Sequence, residues 1–169
     1  MADREIRHSI VVQAPIETVW AEITKVGSRQ RAQLDSVLET TFVPGDPLYY
    51  KSDDGSRVFM VGRVVQCDPP TTFSHTQVLT MRDDPLTLVT WSLEAVPEGT
   101  RVTLVNRGWP ADAKMDKVDA TWQGILAQLK AVVETGDVTG KQKVTLWMMR
   151  TFMFMMPGKT KTERVSVPD

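Results

Sequence analysis

The chain has 169 residues, 41% of them hydrophobic and 24% charged, with a formal net charge of −1. That length predicts one domain able to bury roughly two-thirds of its unfolded surface, and so small a charge gives no electrostatic case for nucleic acid as a partner. Cys67 is the only cysteine, which excludes an intrachain disulfide and a four-thiolate zinc site and fits a reducing compartment, so the cytoplasm is the expected location.

The first ten residues, MADREIRHSI, carry charges where a secretion signal needs an apolar stretch. Residues 5–12, EIRHSIVV, alternate as a first strand, and Ala14-Pro15 breaks it. Ile16, Val19, Trp20 and Ile23 then recur at helical spacing over 15–25. Pro15 stands near the first turn, where its missing N–H costs nothing. The polar residues 28–36 predict a second short helix.

A long β series follows. Strands are expected over 37–43, 48–52, 57–66, 72–81, 86–96 and 101–107, separated by Pro44-Gly45, Asp54-Gly55, Pro69-Pro70, RDDP and PEGT. Successive strands joined by turns make an antiparallel meander, not the alternating βα units of a nucleotide-binding doubly wound sheet. From Asp112 the period changes. Met115, Val118, Trp122, Ile125 and Leu129 fall on one helical stripe, with Asp112 as the expected N-cap and Gly136 as the stop. Such a helix of about 23 residues is roughly 35 Å long, enough to cross a sheet of six or seven strands. The fold class expected is α+β, a curved antiparallel sheet wrapped around a long C-terminal helix.

The strand after the double proline sets the functional question. On a two-residue period Phe73, His75, Gln77, Leu79 and Met81 share one face, so two polar side chains lie where a sheet meets its core. The neighbouring strand brings Val89, Trp91 and Leu93 inward, and the last strand brings Val102, Leu104 and Asn106. Buried polar atoms need partners, whether each other, water or a ligand. His75 is therefore either a core histidine with an internal hydrogen bond or a ligand contact. An apolar setting lowers its pKa and keeps it neutral near pH 7.

Five segments, APIETVW, FVPGDPLYYKSDDG, GRVVQCDPPTTFSHT, GTRVTLVNRGWP and TWQGILAQLKAVVETG, stand in the order seen in one family. Over about residues 5–136 the chain resembles the bacterial homologues of the heat-shock-protein-90 ATPase activator. These belong to the START/SRPBCC (birch-pollen-allergen-like) superfamily of helix-grip folds. The resemblance implies a cavity between sheet and long helix, faced by the positions of Phe73, His75 and Gln77. Relatives usually carry large apolar residues there, and this chain departs at His75 and Gln77. It also implies that Tyr50, rather than Tyr49, points inward. The candidate ligand-binding residues are Tyr50, Phe73, His75, Gln77, Trp91, Leu104, Asn106 and Trp122. Trp91 and Trp122 are read equally as core or as pocket wall, and Gly108-Trp109-Pro110 as a bend into the helix.

No Gly-x-Ser-x-Gly, His-Glu-x-x-His or phosphate-cradling glycine loop is present, and the only histidines are His8 and His75. No cofactor or metal is implied, and no catalytic residue is assigned. Fold alone does not select a function. The leading expectation is a binding protein for a hydrophobic small molecule such as a lipid, polyketide or aromatic metabolite. The alternatives are a co-chaperone-like interaction module, or a cyclase-, dehydratase- or hydrolase-type enzyme using the same cavity.

The domain is expected over 1–137, followed by a basic, Met-rich extension over 138–169. Residues 141–164 carry six basic side chains against the single Glu163. Val144–Pro157 is apolar on nearly all sides of a helix yet too short to span a bilayer, and shallow membrane binding, favoured by the flanking basic side chains, is the least expected of three outcomes for it. Docking on its own domain, across the pocket mouth, is the first expectation for it. Self-association or a chaperone contact is the second, since methionine-rich faces adapt to varied shapes. Residues 159–169 are expected to be mobile.

Overall fold

The computed structural model describes residues 4–82, 84–151 and 155–168. In chain order they form β1 (Arg4–Val12), α1 (Ile16–Ile23), β2 (Arg29–Gln30), a 3-10 turn (Arg31–Gln33), β3 (Ser36–Glu39) and β4 (Pro47–Lys51). Next come β5 (Val58–Asp68), β6 (Thr72–Leu79), β7 (Thr87–Val96), β8 (Gly99–Trp109), α2 (Met115–Thr135) and α3 (Gly140–Thr151). The strands make one eight-stranded sheet in the order β1-β8-β7-β6-β5-β4-β3-β2. Every pair is antiparallel.

The sheet curls around α2, and the core lies between them. The two-residue period holds as expected: Phe73, Val89, Trp91, Val102 and Leu104 are all buried, and α2 answers with Trp122, Leu126 and Leu129. Polar contacts fix α2 along β1. The His8 imidazole meets Asp119 at 2.8 Å, Lys130 donates to the Val11 carbonyl at 2.6 Å, and the Gln13 N–H donates to Glu134 at 2.7 Å. Gly136 closes the helix in the left-handed conformation, φ 76°, which glycine adopts without a Cβ clash.

Four local expectations fail, each for a physical reason. Residues 28–36 form no helix, because Leu34 and Asp35 take left-handed backbones (φ 57° and 60°) after a single 3-10 turn. The strand expected over 37–43 stops at Glu39, short of a left-handed Phe42 (φ 63°). Asp112 does not cap α2: the Ala113 N–H turns back to the Pro110 carbonyl, and the helix starts at Met115. The end of the chain is pinned rather than free. Thr160 is fully buried, Arg57 donates to Thr160 Oγ1 at 3.0 Å and to the Pro157 carbonyl at 3.2 Å, and Thr162 donates to the Gly55 carbonyl at 2.6 Å.

α3 docks against the 29–35 segment. Val138 and Leu146 are buried, Gln128 and Thr139 exchange hydrogen bonds, and Asp137 pairs with Arg31 at 2.6 Å and with Lys143. Val144, Trp147 and Met148 of the same helix remain exposed. Phe152, Met153 and Phe154 of the apolar stretch lie outside the described residues.

Candidate functional site

A cavity of about 140 Å³ lies between α2 and the β4–β6 half of the sheet. From the strands it takes Tyr50, Phe59, Met60, Gln77 and Leu79, and from α2 it takes Val118, Trp122 and Ile125. Trp109, at the end of β8, and Leu34 close two further sides. Arg82, Asp84, Trp109 and Val118 also line a shallower groove outside, so these four mark the passage between cavity and surface. Among the described residues none of α3 lines the cavity; Lys143, Leu146 and Trp147 sit beside the 29–35 segment instead of across the mouth.

Three of the eight candidate residues, Tyr50, Gln77 and Trp122, line this space together. Burial drives the Tyr50 hydroxyl well above the ordinary phenol range, so it stays protonated. Gln77 is 5% exposed, and its Oε1 is buried without a hydrogen-bond partner among the described residues. Asp84 Oδ2 is in the same condition. The cavity wall is thus mainly apolar, with the Tyr50 hydroxyl, an unpartnered amide oxygen, Gln33, Ser36 and Thr121 among its polar groups and charged side chains at its mouth.

The other five candidates pack beside the cavity rather than lining it. His75 is 1% exposed, with its ring centroid 5.1 Å from Phe73 and 6.4 Å from Tyr50. Desolvation lowers its pKa to about 4, against a weaker upward pull from the Thr76 carbonyl. Nδ1 lies 3.0 Å from that carbonyl, which can only accept, so the neutral ring carries its proton on Nδ1. Asn106 has partners at both ends of its amide. Its Oδ1 accepts from the indole N–H of Trp109 at 2.7 Å and of Trp122 at 3.0 Å, and its Nδ2 donates to the Leu88 carbonyl at 3.3 Å. Trp91 meets Trp122 edge to face at 6.1 Å, Phe42 meets Phe73 likewise at 5.3 Å, and Leu104 is completely buried.

Trp109 and Leu34 line the cavity without a signal in the sequence that marks them for it. A tryptophan between glycine and proline reads as a bend, and nothing in GSRQRAQLD announces a left-handed leucine. Val118 and Ile125 carried a signal, since both belong to the apolar stripe of α2, as did Leu79 on the inward face of β6.

Residues 13–134 match the family described as Activator of Hsp90 ATPase homolog 1-like protein. The chain belongs to that family. Solved structures agree on the fold. Protein MLL2253 from Mesorhizobium loti superposes with a TM-score of 0.65 at 20% identity, covering 80% of this chain and 100% of that one. The Aha1 dimer from Colwellia psychrerythraea gives 0.64 at 19% identity, covering 79% and 98%. DynU16, a protein of the dynemicin biosynthetic locus, gives 0.65 at 23% identity, covering 79% of this chain and 48% of that one. No curated protein matches the sequence. Among the described residues no helix is long and apolar enough to cross a membrane.

Proposed function

We propose that this member of the family is a cytoplasmic binding protein for a small, mainly apolar molecule held between α2 and the sheet. The observation that carries the reading is the 140 Å³ cavity with its aromatic and aliphatic wall. Size narrows the occupant. An apolar protein cavity of about 150 Å³ accepts benzene, whereas pockets for drug-sized ligands run from about 300 Å³ upward. One aromatic ring therefore fits, while a lipid or a fused polyketide needs the passage at Arg82, Asp84, Trp109 and Val118 to widen.

Burying about 150 Å² of ring surface at about 25 cal/mol per Å² gives about 4 kcal/mol, a dissociation constant near 1 mM from apolar burial alone. Titration with toluene, followed by ligand-observed NMR and by tryptophan emission from the cavity-lining Trp109 and Trp122, tests it. Saturable millimolar binding is expected, and Ile125→Trp should abolish it by filling the space from the helix side. Toluene that fails to bind, or that binds Ile125→Trp equally well, removes the cavity as the site.

A second reading, protein contact, rests on a separate observation. α3 leaves Val144, Trp147 and Met148 exposed at 59%, 64% and 46% on a helix of which, among the described residues, Leu146 alone is buried. The Colwellia relative is described as a dimer, and a second copy of this chain is the partner we propose for that face. A chaperone partner, the co-chaperone-like version of this reading, is the alternative occupant.

A further inference from the structure

We infer that the cavity's occupant is a single-ring molecule bearing a hydrogen-bond donor, of the phenol or aniline type, whose O–H or N–H is accepted by Gln77 Oε1 at the wall or by Asp84 Oδ2 at the mouth. This deepens the cavity reading above and rests on it. Both oxygens are buried and unpartnered among the described residues, and both side chains line the same space. A buried amide oxygen left without a donor is costly. The lining holds other donors, but Ser36 and Thr121 give their hydroxyls to the Gln33 and Lys117 carbonyls, and neither Gln33 nor Arg82 is bonded to these two oxygens. Trp109 and Trp122 already spend their indole N–H groups on Asn106. His75 gives its N–H to the Thr76 carbonyl. Two acceptors facing one ring-sized space select a ligand that donates. A bare hydrocarbon leaves both acceptors as they are.

Phenol and toluene have the same shape, so their ratio isolates the donor. A cavity offering no acceptor takes toluene over phenol, because the hydroxyl must then leave water unpaired. Titration of the unmodified protein with each, followed by ligand-observed NMR at pH 7, is expected to show phenol binding about tenfold more tightly, as one net hydrogen bond provides. Toluene binding as tightly as phenol, or more so, overturns the donor assignment while leaving the cavity reading intact. If neither ring binds, the cavity reading falls and the assignment goes with it. Two variants locate the acceptor. In folded Gln77→Leu the preference should invert. In Asp84→Ala, a change at a part-exposed turn that puts folding at little risk, it should shrink. A tenfold phenol preference that survives both substitutions overturns the role given to these two oxygens.

Discussion

Asn106 shows how one side chain can hold a site it never lines. It is wholly buried on β8, and its single oxygen receives both indole N–H groups, one from the end of its own strand and one from α2. That arrangement fixes the two tryptophans that close the cavity. Asn106→Leu keeps the volume and removes the acceptor, leaving two buried donors unpaired at about 1–3 kcal/mol each. A loss of about 3 kcal/mol in urea-denaturation stability is expected, with a shifted tryptophan emission. Asn106→Asp, which keeps an acceptor oxygen, should restore part of the emission. A loss under about 1 kcal/mol for Asn106→Leu would mean that the tryptophans are held by packing alone. Strand phase was enough to place Asn106 and Gln77 inward, because side-chain direction in a strand alternates strictly. It did not reveal that Asn106 is satisfied and Gln77 is not. That difference depends on where Trp109 and Trp122 end up, three and sixteen residues further along the chain.

At the scale of elements, legibility followed periodicity. α2 and the strands from β4 to β8 carry a repeated apolar pattern and end at turn residues, so their existence was readable, with ends off by a few residues. The stretch 29–36 has no such pattern. Its path depends on left-handed Leu34 and Asp35, conformations that cost a non-glycine residue roughly 1–2 kcal/mol and are sustained only by surrounding contacts. Yet this stretch supplies Leu34 to the cavity and a docking surface to α3. The stretch 144–157 reads in sequence as apolar on nearly all sides, and of its described residues within α3 the fold buries Leu146 alone. Trp147→Glu tests whether a second copy covers the rest. Sedimentation velocity should show a dimer for the unmodified chain and a monomer for the variant, with the melting temperature of the variant monomer close to that of the diluted parent. A monomer in both cases would leave self-association without support and turn attention to a different protein partner.

For the whole molecule, the balance of charge makes one buried group visible in the pH dependence of stability. With a net charge of −1, mild acidification adds little general self-repulsion. The carboxylates whose pKa values the fold lowers, Asp54, Glu134 and Asp137, lose their contribution only as pH falls below the ordinary carboxylate range. His75 is different. Burial takes its pKa from 6.5 to about 4, so the folded state holds the ring neutral where the unfolded chain would protonate it. A folded pKa below the unfolded one means the unfolded state binds more protons between those values. Stability is therefore complete above about pH 6.5 and falls as pH drops toward 4, at up to about 1.4 kcal/mol per pH unit. Between pH 7.5 and pH 5.0 the loss should be about 2 kcal/mol, read from urea midpoints at several pH values. His75→Leu should flatten the curve over that interval while leaving the acid limb below pH 4.5 in place. Parallel curves for the two proteins would mean that the imidazole is protonated in the folded state or reaches water, and that the strand's inward histidine is no barrier to charge. A cavity whose neighbouring histidine stays neutral to pH 5 presents the same apolar wall, and the same unpartnered acceptors, across the whole physiological range.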